Sequence, residues 1–165
     1  MNAMYKKYLY TQTAASLGIN FVANGGIAYL THKNSTSGLP KLYAGYLSLL
    51  FDIAVTALIL AWLIGWAANA GLKKSGLYQT LNSQNRLQLH MARWFRIPAR
   101  YGWLLCIGII PLFYLLSVLG IVLFGITQFT VWGYVIYKAG YTGVMGALLI
   151  AIFIYSGMHR PSMSS

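Results

Sequence analysis

The chain has 165 residues, of which 58% are hydrophobic and only 8% are charged. Twelve Lys and Arg residues stand against one acidic residue, Asp52, so the formal net charge is +11. This composition excludes an ordinary soluble domain. The basic residues lie between long apolar runs, where the positive-inside rule expects them, so we expect a membrane protein and no nucleic-acid partner.

The apolar runs predict an all-α integral membrane protein with a bundle of about four transmembrane helices, forming a single membrane domain over residues 1–165. A spanning helix needs about 20 apolar residues, and four runs approach or reach that length. The first run is the weakest, because two asparagines and three glycines interrupt it. Other helices must therefore shield it from lipid. The predicted spans are 14–30, 43–66, 103–125 and 132–155.

A long polar connection, residues 71–102, separates the second predicted span from the third. Its apolar residues follow helical spacing and its basic residues fall on another face, which predicts a basic amphipathic helix on the cytoplasmic leaflet. Each Lys or Arg near anionic headgroups contributes about 1 kcal/mol. Ordinary positive-inside residues, or a docking surface for a cytoplasmic partner, would give the same pattern. The residues predicted to contact anionic lipid or a partner are Arg86, Arg93, Arg96 and Arg100.

The third predicted span is the most hydrophobic of the four. Pro111 within it should kink the helix or mark a packing contact. Tyr114 and Ser117 are the polar residues that this span offers, so we expect it to face lipid or to act as a scaffold.

The fourth predicted span is rich in glycine, which permits close backbone approach and is typical of a helix or subunit interface. Tyr134, Tyr137 and Tyr141 lie on a neighbouring face, where they would either pack against other helices or line a site for a planar ligand. The glycines are Gly133, Gly140, Gly143 and Gly146.

Lys and Arg are distributed unequally between the two sides of the predicted membrane. Nine lie in the terminal segments and the central connection, and two lie in the connection between the first two spans. The positive-inside rule then places both termini and the central connection in the cytoplasm. We expect a multi-pass protein of a bacterial inner membrane.

Asp52 is the most informative residue, because an ionised carboxylate near the bilayer centre costs several kcal/mol unless it is paired or hydrated. At 1.5 Å per residue it lies about 13 Å into its helix, and Lys138 lies about 9 Å into the fourth helix from the same side. The two charges can therefore meet in depth, and Asn24 falls at a matching level. Alternatively, Lys138 extends to the outer headgroups and does not meet Asp52.

Polar residues recur at every fourth position on three of the predicted helices, which gives each helix one polar stripe. Converging stripes would form a hydrated cavity or pore, with the two charges acting as a gate, a proton-linked switch or an ion site. Alternatively, these residues only hold helices together, through hydrogen bonds of about 0.6 to 2 kcal/mol each. The predicted intramembrane polar centre consists of Asn20, Asn24, Asp52, Thr56, Tyr134 and Lys138.

Catalysis is not expected, because one acid cannot form an acid/base pair and no nucleophile set or phosphate loop can be assembled. No metal or cofactor is expected either, since candidate ligands do not cluster in the sequence. The leading hypothesis is a small multispanning transporter or channel-like protein, with further copies of itself in a homo-oligomer, or a membrane complex, as its expected partners. The alternative is a non-catalytic structural or assembly subunit of a larger membrane protein complex.

Overall fold

The computed structural model describes residues 3–34, 42–75, 79–81, 98–126 and 129–161. Within these residues the chain forms four helices and two strands of three residues each. The elements are α1 (Ala3–His32), α2 (Leu42–Ser75), β1 (Gln79–Leu81), α3 (Pro98–Leu123), α4 (Val131–Met158) and β2 (His159–Pro161).

Three of these helices are long and apolar enough to cross a membrane. Large apolar side chains such as Phe51, Trp62 and Trp66 of α2 are exposed on the bundle surface. Soluble monomers rarely expose contiguous apolar patches larger than a few hundred Å². The structure therefore supports a multi-pass membrane protein, whereas α1 is not among the candidate spans and the fourth span stays a prediction. The candidate spans are Leu49–Ser75, Cys106–Leu123 and Val131–Tyr155.

α4 is the central helix of the bundle. It packs against α1 and α2 on two different faces, while α3 packs mainly against α2. In the most apolar stretch of α4, 61% of the residues are buried, against 28% in α3. Most of α3 is therefore free to face lipid.

The main core lies between α2 and α4, with contributions from α1 and α3. Buried residues of α2 recur every three or four positions, as expected for one face of a helix. Met145 and Leu149 of α4 are fully buried against this face. The buried hydrophobic residues of α2 are Ile53, Ala57, Leu60, Ala61, Ile64, Ala68 and Leu72.

A short turn ends α3 and begins α4. Gly125 has a φ of 58°, and its N–H donates to the carbonyl of Val122 at 3.2 Å. The next N–H, of Ile126, donates to Ile121 at 2.9 Å, so the two bonds form a Schellman motif. Thr130 then caps α4, because its hydroxyl accepts the N–H of Gly133 at 3.0 Å. These bonds satisfy backbone groups at the end of α3 and the start of α4.

The helices extend beyond the predicted spans into the polar connection. α2 continues to Ser75 and α3 begins at Pro98, a residue that favours the first turn of a helix. α3 also continues through Pro111, which lies inside the helix. Most of the predicted amphipathic helix falls in residues 82–97, which lie outside the described residues.

β1 and β2 pair in parallel, in a register that matches Gln79 with His159 and Leu81 with Pro161. β1 belongs to the connection after α2, and β2 follows α4 directly. The pairing therefore brings the connection and the C-terminal segment to the same end of the bundle. The charge distribution predicts the same side for both segments.

Candidate intramembrane polar site

Asp52 and Lys138 form an ion pair between α2 and α4. The Lys138 Nζ donates to Asp52 Oδ1, and the side chains are 12% exposed for Lys138 and 29% exposed for Asp52. Both residues lie within candidate membrane spans. Of the two alternatives predicted for Lys138, the structure shows the one in which its ammonium contacts the Asp52 carboxylate.

Two hydroxyl groups complete this cluster. The Tyr141 hydroxyl donates to Asp52 Oδ2 at 2.6 Å, and Lys138 Nζ donates to Thr56 Oγ1 at 3.2 Å. The ammonium also lies 5.5 Å from the centroid of the Tyr141 ring, within range of a cation–π interaction. We call these four residues, Asp52, Thr56, Lys138 and Tyr141, the Asp52 centre.

Helical spacing places these side chains together. Asp52 and Thr56 are four residues apart on α2, and Lys138 and Tyr141 are three apart on α4, so each pair shares one helix face. Transferring an ion into a low-dielectric environment costs several kcal/mol unless charged and polar partners replace its water. Among the described residues, no buried side-chain nitrogen or oxygen lacks a hydrogen-bond partner. The Asp52 centre is thus neutral overall and well satisfied.

The asparagines of α1 form different hydrogen bonds. Asn20 Nδ2 donates to the carbonyl of Ser16 at 2.7 Å, and Asn24 Nδ2 donates to the carbonyl of Asn20 at 3.1 Å. The Thr142 hydroxyl of α4 lies 3.3 Å from the Asn20 carbonyl oxygen. The described hydrogen bonds of both asparagines therefore stay within α1 or cross to α4.

The polar residues are consequently divided between the α2–α4 and α1–α4 interfaces, and the described side-chain hydrogen bonds of Asn20 and Asn24 are made within α1. Positions four apart on an α-helix are rotated by about 40° relative to each other. Along α4 this rotation directs Lys138 to α2, while Thr142 contacts α1. Asp52, Thr56 and Lys138 of the predicted centre come together, and Asn20 and Asn24 lie on α1.

Tyr134, the remaining member of the predicted centre, lies close enough to interact with the Asp52 carboxylate and also belongs to an aromatic cluster near the start of α4. Its ring contacts His32 edge-on at 5.1 Å between centroids, Phe129 at 6.2 Å and Tyr137 at 6.5 Å. Tyr141, predicted to pack against other helices or to line a site for a planar ligand, packs in the main core and also donates to the Asp52 carboxylate. Its spacing of three residues from Lys138 is the signal that could have identified it.

The predicted basic surface can be followed only in part. Arg86, Arg93 and Arg96 lie outside the described residues, and Arg100 lies in the first turn of α3. The role of these arginines stays a prediction.

Glycine and alanine permit close packing of α1 on α4. A Cβ at Gly143 would lie 3.2 Å from the Leu17 carbonyl oxygen, and one at Gly25 would lie 3.0 Å from the Cβ of Ala139. Gly146 is similarly covered by the Asn20 amide. Two of the four glycines singled out in α4 therefore lie at this helix interface. The other two differ: Gly133 belongs to the capped first turn, and a Cβ at Gly140 would meet no atom within 4 Å.

An apolar groove of about 640 Å³ separates α3 from α4. Gly120 and Gly140 line it, and a Cβ at either would meet no atom within 4 Å. The Tyr137 hydroxyl crosses between the helices and donates to Ser117 Oγ at 2.7 Å. Tyr141 lines the groove and also belongs to the Asp52 centre. The groove and the ion pair therefore share one side chain.

The chemistry available here is ionic. Within the described part of the chain, no three His, Cys, Asp or Glu side chains are grouped as metal ligands would be. A carboxylate, an ammonium and two hydroxyls can bind a small ion, or the charged groups can exchange one ionic partner for another.

Comparisons with protein-family models, characterised proteins and solved structures give no match for this chain.

Proposed function

We propose that this protein is a small multispanning membrane transporter whose substrate path passes the Asp52 centre. The observation that carries the proposal is the Asp52–Lys138 ion pair between two candidate membrane spans. Ionisable residues inside membrane segments are rare, and they commonly mark ion or substrate paths.

The environment of the pair favours exchange of partners. In this proposal the exposed 29% of the Asp52 side chain faces the path, where a second ion would approach the carboxylate. A lysine ammonium has three donors, and two are directed at Asp52 and Thr56. A purely structural contact gains little from buried charge, because apolar residues of similar volume are often equally stabilising.

The packing of α1 supports a fourth span. The Tyr29 and Trp132 rings stack at 5.0 Å near one end of the α1–α4 contact, and Ser16 lies beside Gly146 further along. α1 therefore runs antiparallel to α4 over much of a candidate span. In this proposal the four-helix protein has both termini in the cytoplasm of a bacterial inner membrane.

The proposed cytoplasmic end carries exposed basic residues that suit anionic headgroups. Because α4 fills the centre of one bundle, a path of useful width forms more readily between several copies of the chain. We therefore propose a homo-oligomer in which several copies surround the path. The described exposed lysines at this end are Lys6, Lys7, Lys73 and Lys74.

Flux measurements test the proposal. The purified protein is reconstituted in liposomes and screened for ion and proton fluxes, together with Asp52→Asn and Lys138→Met. Ser117→Ala is the matched control, because Ser117 is also a buried polar residue but lies outside the Asp52 centre. We expect both centre variants to lose at least about tenfold in rate, equivalent to 1.4 kcal/mol, and the control to transport normally. If the centre variants fold and transport at the parental rate, the proposed path is rejected.

A second candidate function is a non-catalytic subunit of a larger membrane complex. The groove between α3 and α4 favours it, since a partner helix would fill an apolar space that glycines keep open. Extraction from native membranes in mild detergent should then recover a second protein in a fixed ratio.

Groove-filling variants make this test specific. Gly120→Leu and Gly140→Leu place side chains in the groove, while Gly108→Leu adds the same side chain to open space on α3 outside the groove lining. A subunit role predicts that only the first two variants lose the partner. Recovery of self-associated protein alone would exclude this second function.

A further inference from the structure

The surroundings of the Lys138 ammonium are those of a receptor for a primary amine. Asp52 Oδ1 accepts one N–H, and Thr56 Oγ1 accepts another at 3.2 Å. The Tyr141 ring lies 5.5 Å away and presents its π system. A carboxylate, a neutral acceptor and an aromatic ring together match the charge and the donors of an ammonium group.

Most of this receptor is held by contacts that do not involve Lys138. The Tyr141 hydroxyl binds Asp52 Oδ2 at 2.6 Å and lies 3.5 Å from Thr56 Oγ1. Helical spacing on α2 fixes Asp52 beside Thr56. If the lysine leaves, the carboxylate keeps a hydrogen bond that orients it, and the site then carries one uncompensated negative charge.

The geometry also limits the chemical class of a replacement ligand. An anion would be repelled by Asp52, and a quaternary ammonium has no N–H for Thr56 or the carboxylate. A neutral alcohol cannot compensate the charge. Beyond its Cβ, the lysine side chain is equivalent to n-propylammonium, and it is only 12% exposed in its present position.

We propose that Asp52, Thr56 and Tyr141 of the Asp52 centre form a binding site for a small primary alkylammonium ion. Lys138 occupies this site as a tethered ligand. The inference rests on the proposed transport function for its role, because it names the substrate class of the same path. An incoming amine would take the place of the Lys138 ammonium at Asp52 and Thr56.

The first test uses Lys138→Ala, which removes the tethered ligand and leaves space for n-propylammonium. Thermal unfolding is measured in detergent with propylammonium, tetramethylammonium or 1-propanol. We expect the variant to unfold below the parent, and propylammonium alone to restore about half or more of the lost unfolding temperature. The double variant Asp52→Asn/Lys138→Ala is the matched control, and it should gain nothing from any of the three compounds.

Equal stabilisation by propanol or tetramethylammonium, or equal recovery in the double variant, would overturn the proposal. A second measurement does not need Lys138→Ala to fold: uptake of labelled propylammonium into liposomes by the parent, with Asp52→Asn for comparison. Uptake that Asp52→Asn loses supports the site. If the parent takes up no propylammonium and Lys138→Ala does not fold in propylammonium, the proposed site is rejected.

The outcomes separate this inference from the transport proposal. Selective stabilisation of Lys138→Ala without any flux in the parent supports the ammonium site and rejects transport. Flux of other ions, with no selective effect of propylammonium on Lys138→Ala, supports transport and overturns the ammonium site.

Discussion

α4 meets its two main neighbours through interfaces of opposite chemistry. Toward α2 it presents Lys138 and Tyr141, which bind the carboxylate of Asp52. Toward α1 it presents small residues, so that a Cβ at Gly143 would come within 3.2 Å of the Leu17 carbonyl oxygen. The α2–α4 interface therefore combines a charged pair with the main apolar core, whereas the α1–α4 interface depends on close backbone approach.

The two interfaces should therefore tolerate different substitutions. Loss of one member of a charged pair leaves the other ion in a low-dielectric site, whereas loss of both removes the problem. A small-residue interface is sensitive to added volume and contains no charged pair whose loss would destabilise it. Matched substitutions on α4 and α2 can therefore test whether the two interfaces differ as the structure indicates.

Asp52→Asn should have the largest effect, because it leaves the Lys138 ammonium without its counter-ion. We expect a loss of about 3 kcal/mol in the free energy of unfolding, the lower end for buried pairs because the Asp52 side chain is 29% exposed. Equilibrium unfolding in mixed micelles measures it. Asp52→Leu/Lys138→Met removes both charges and should be closer to the parent; a double variant less stable than Asp52→Asn would contradict this explanation.

Gly143→Leu should have the next largest effect, since its side chain would be forced against the Leu17 backbone and Phe21. Overpacking of this kind destabilises by about 2 kcal/mol. The same unfolding assay applies. Gly140→Leu is the control on the same helix, because a Cβ there meets no atom within 4 Å. If both leucine variants lose equal stability, close approach of α1 is not the cause.

Tyr141→Phe removes the hydroxyl that donates to Asp52 Oδ2 at 2.6 Å. Hydrogen bonds to charged groups contribute about 1.5 kcal/mol at the low end of their range, so we expect a loss of that size. The ring remains and preserves the packing of the main core. The same substitution in the Asp52→Asn background should lower the free energy of unfolding by less. An equal loss in both backgrounds would show that the hydroxyl does not stabilise the protein through the carboxylate.

Tyr137→Phe should have the smallest effect. It removes a neutral hydrogen bond of 2.7 Å to Ser117, which joins α4 to α3. Such bonds between membrane helices average about 0.6 kcal/mol. The variant should therefore unfold within about 1 kcal/mol of the parent. A loss larger than that of Tyr141→Phe would reverse the expected order of the neutral and charge-assisted bonds.

The sequence predicted the helical membrane architecture well in its apolar parts. Long apolar runs with few charges identify the second, third and fourth helices, which are the candidate spans in the structure. The first helix has polar residues that hydropathy alone cannot place, because their hydrogen bonds to Ser16, Asn20 and α4 appear only in the folded chain.

The sequence also indicates which two charges meet, but not their full surroundings. Similar depths along two helices, about 13 Å and about 9 Å, were enough to bring Asp52 and Lys138 within reach of each other. The rotation of each helix about its axis depends on packing against its neighbours. For this reason the asparagines were expected beside the ion pair, and the contact of Tyr141 with Asp52 was not anticipated.

Coupling between Asp52 and Lys138 can be measured directly by a double-mutant cycle of unfolding free energies. The cycle compares the parent, Asp52→Asn, Lys138→Met and the variant with both changes. An intramembrane ion pair predicts a coupling energy of about 2 kcal/mol or more, well above the value for the neutral Tyr137–Ser117 bond. A coupling energy below about 0.5 kcal/mol, with all variants folded, would show that the two charges do not depend on each other.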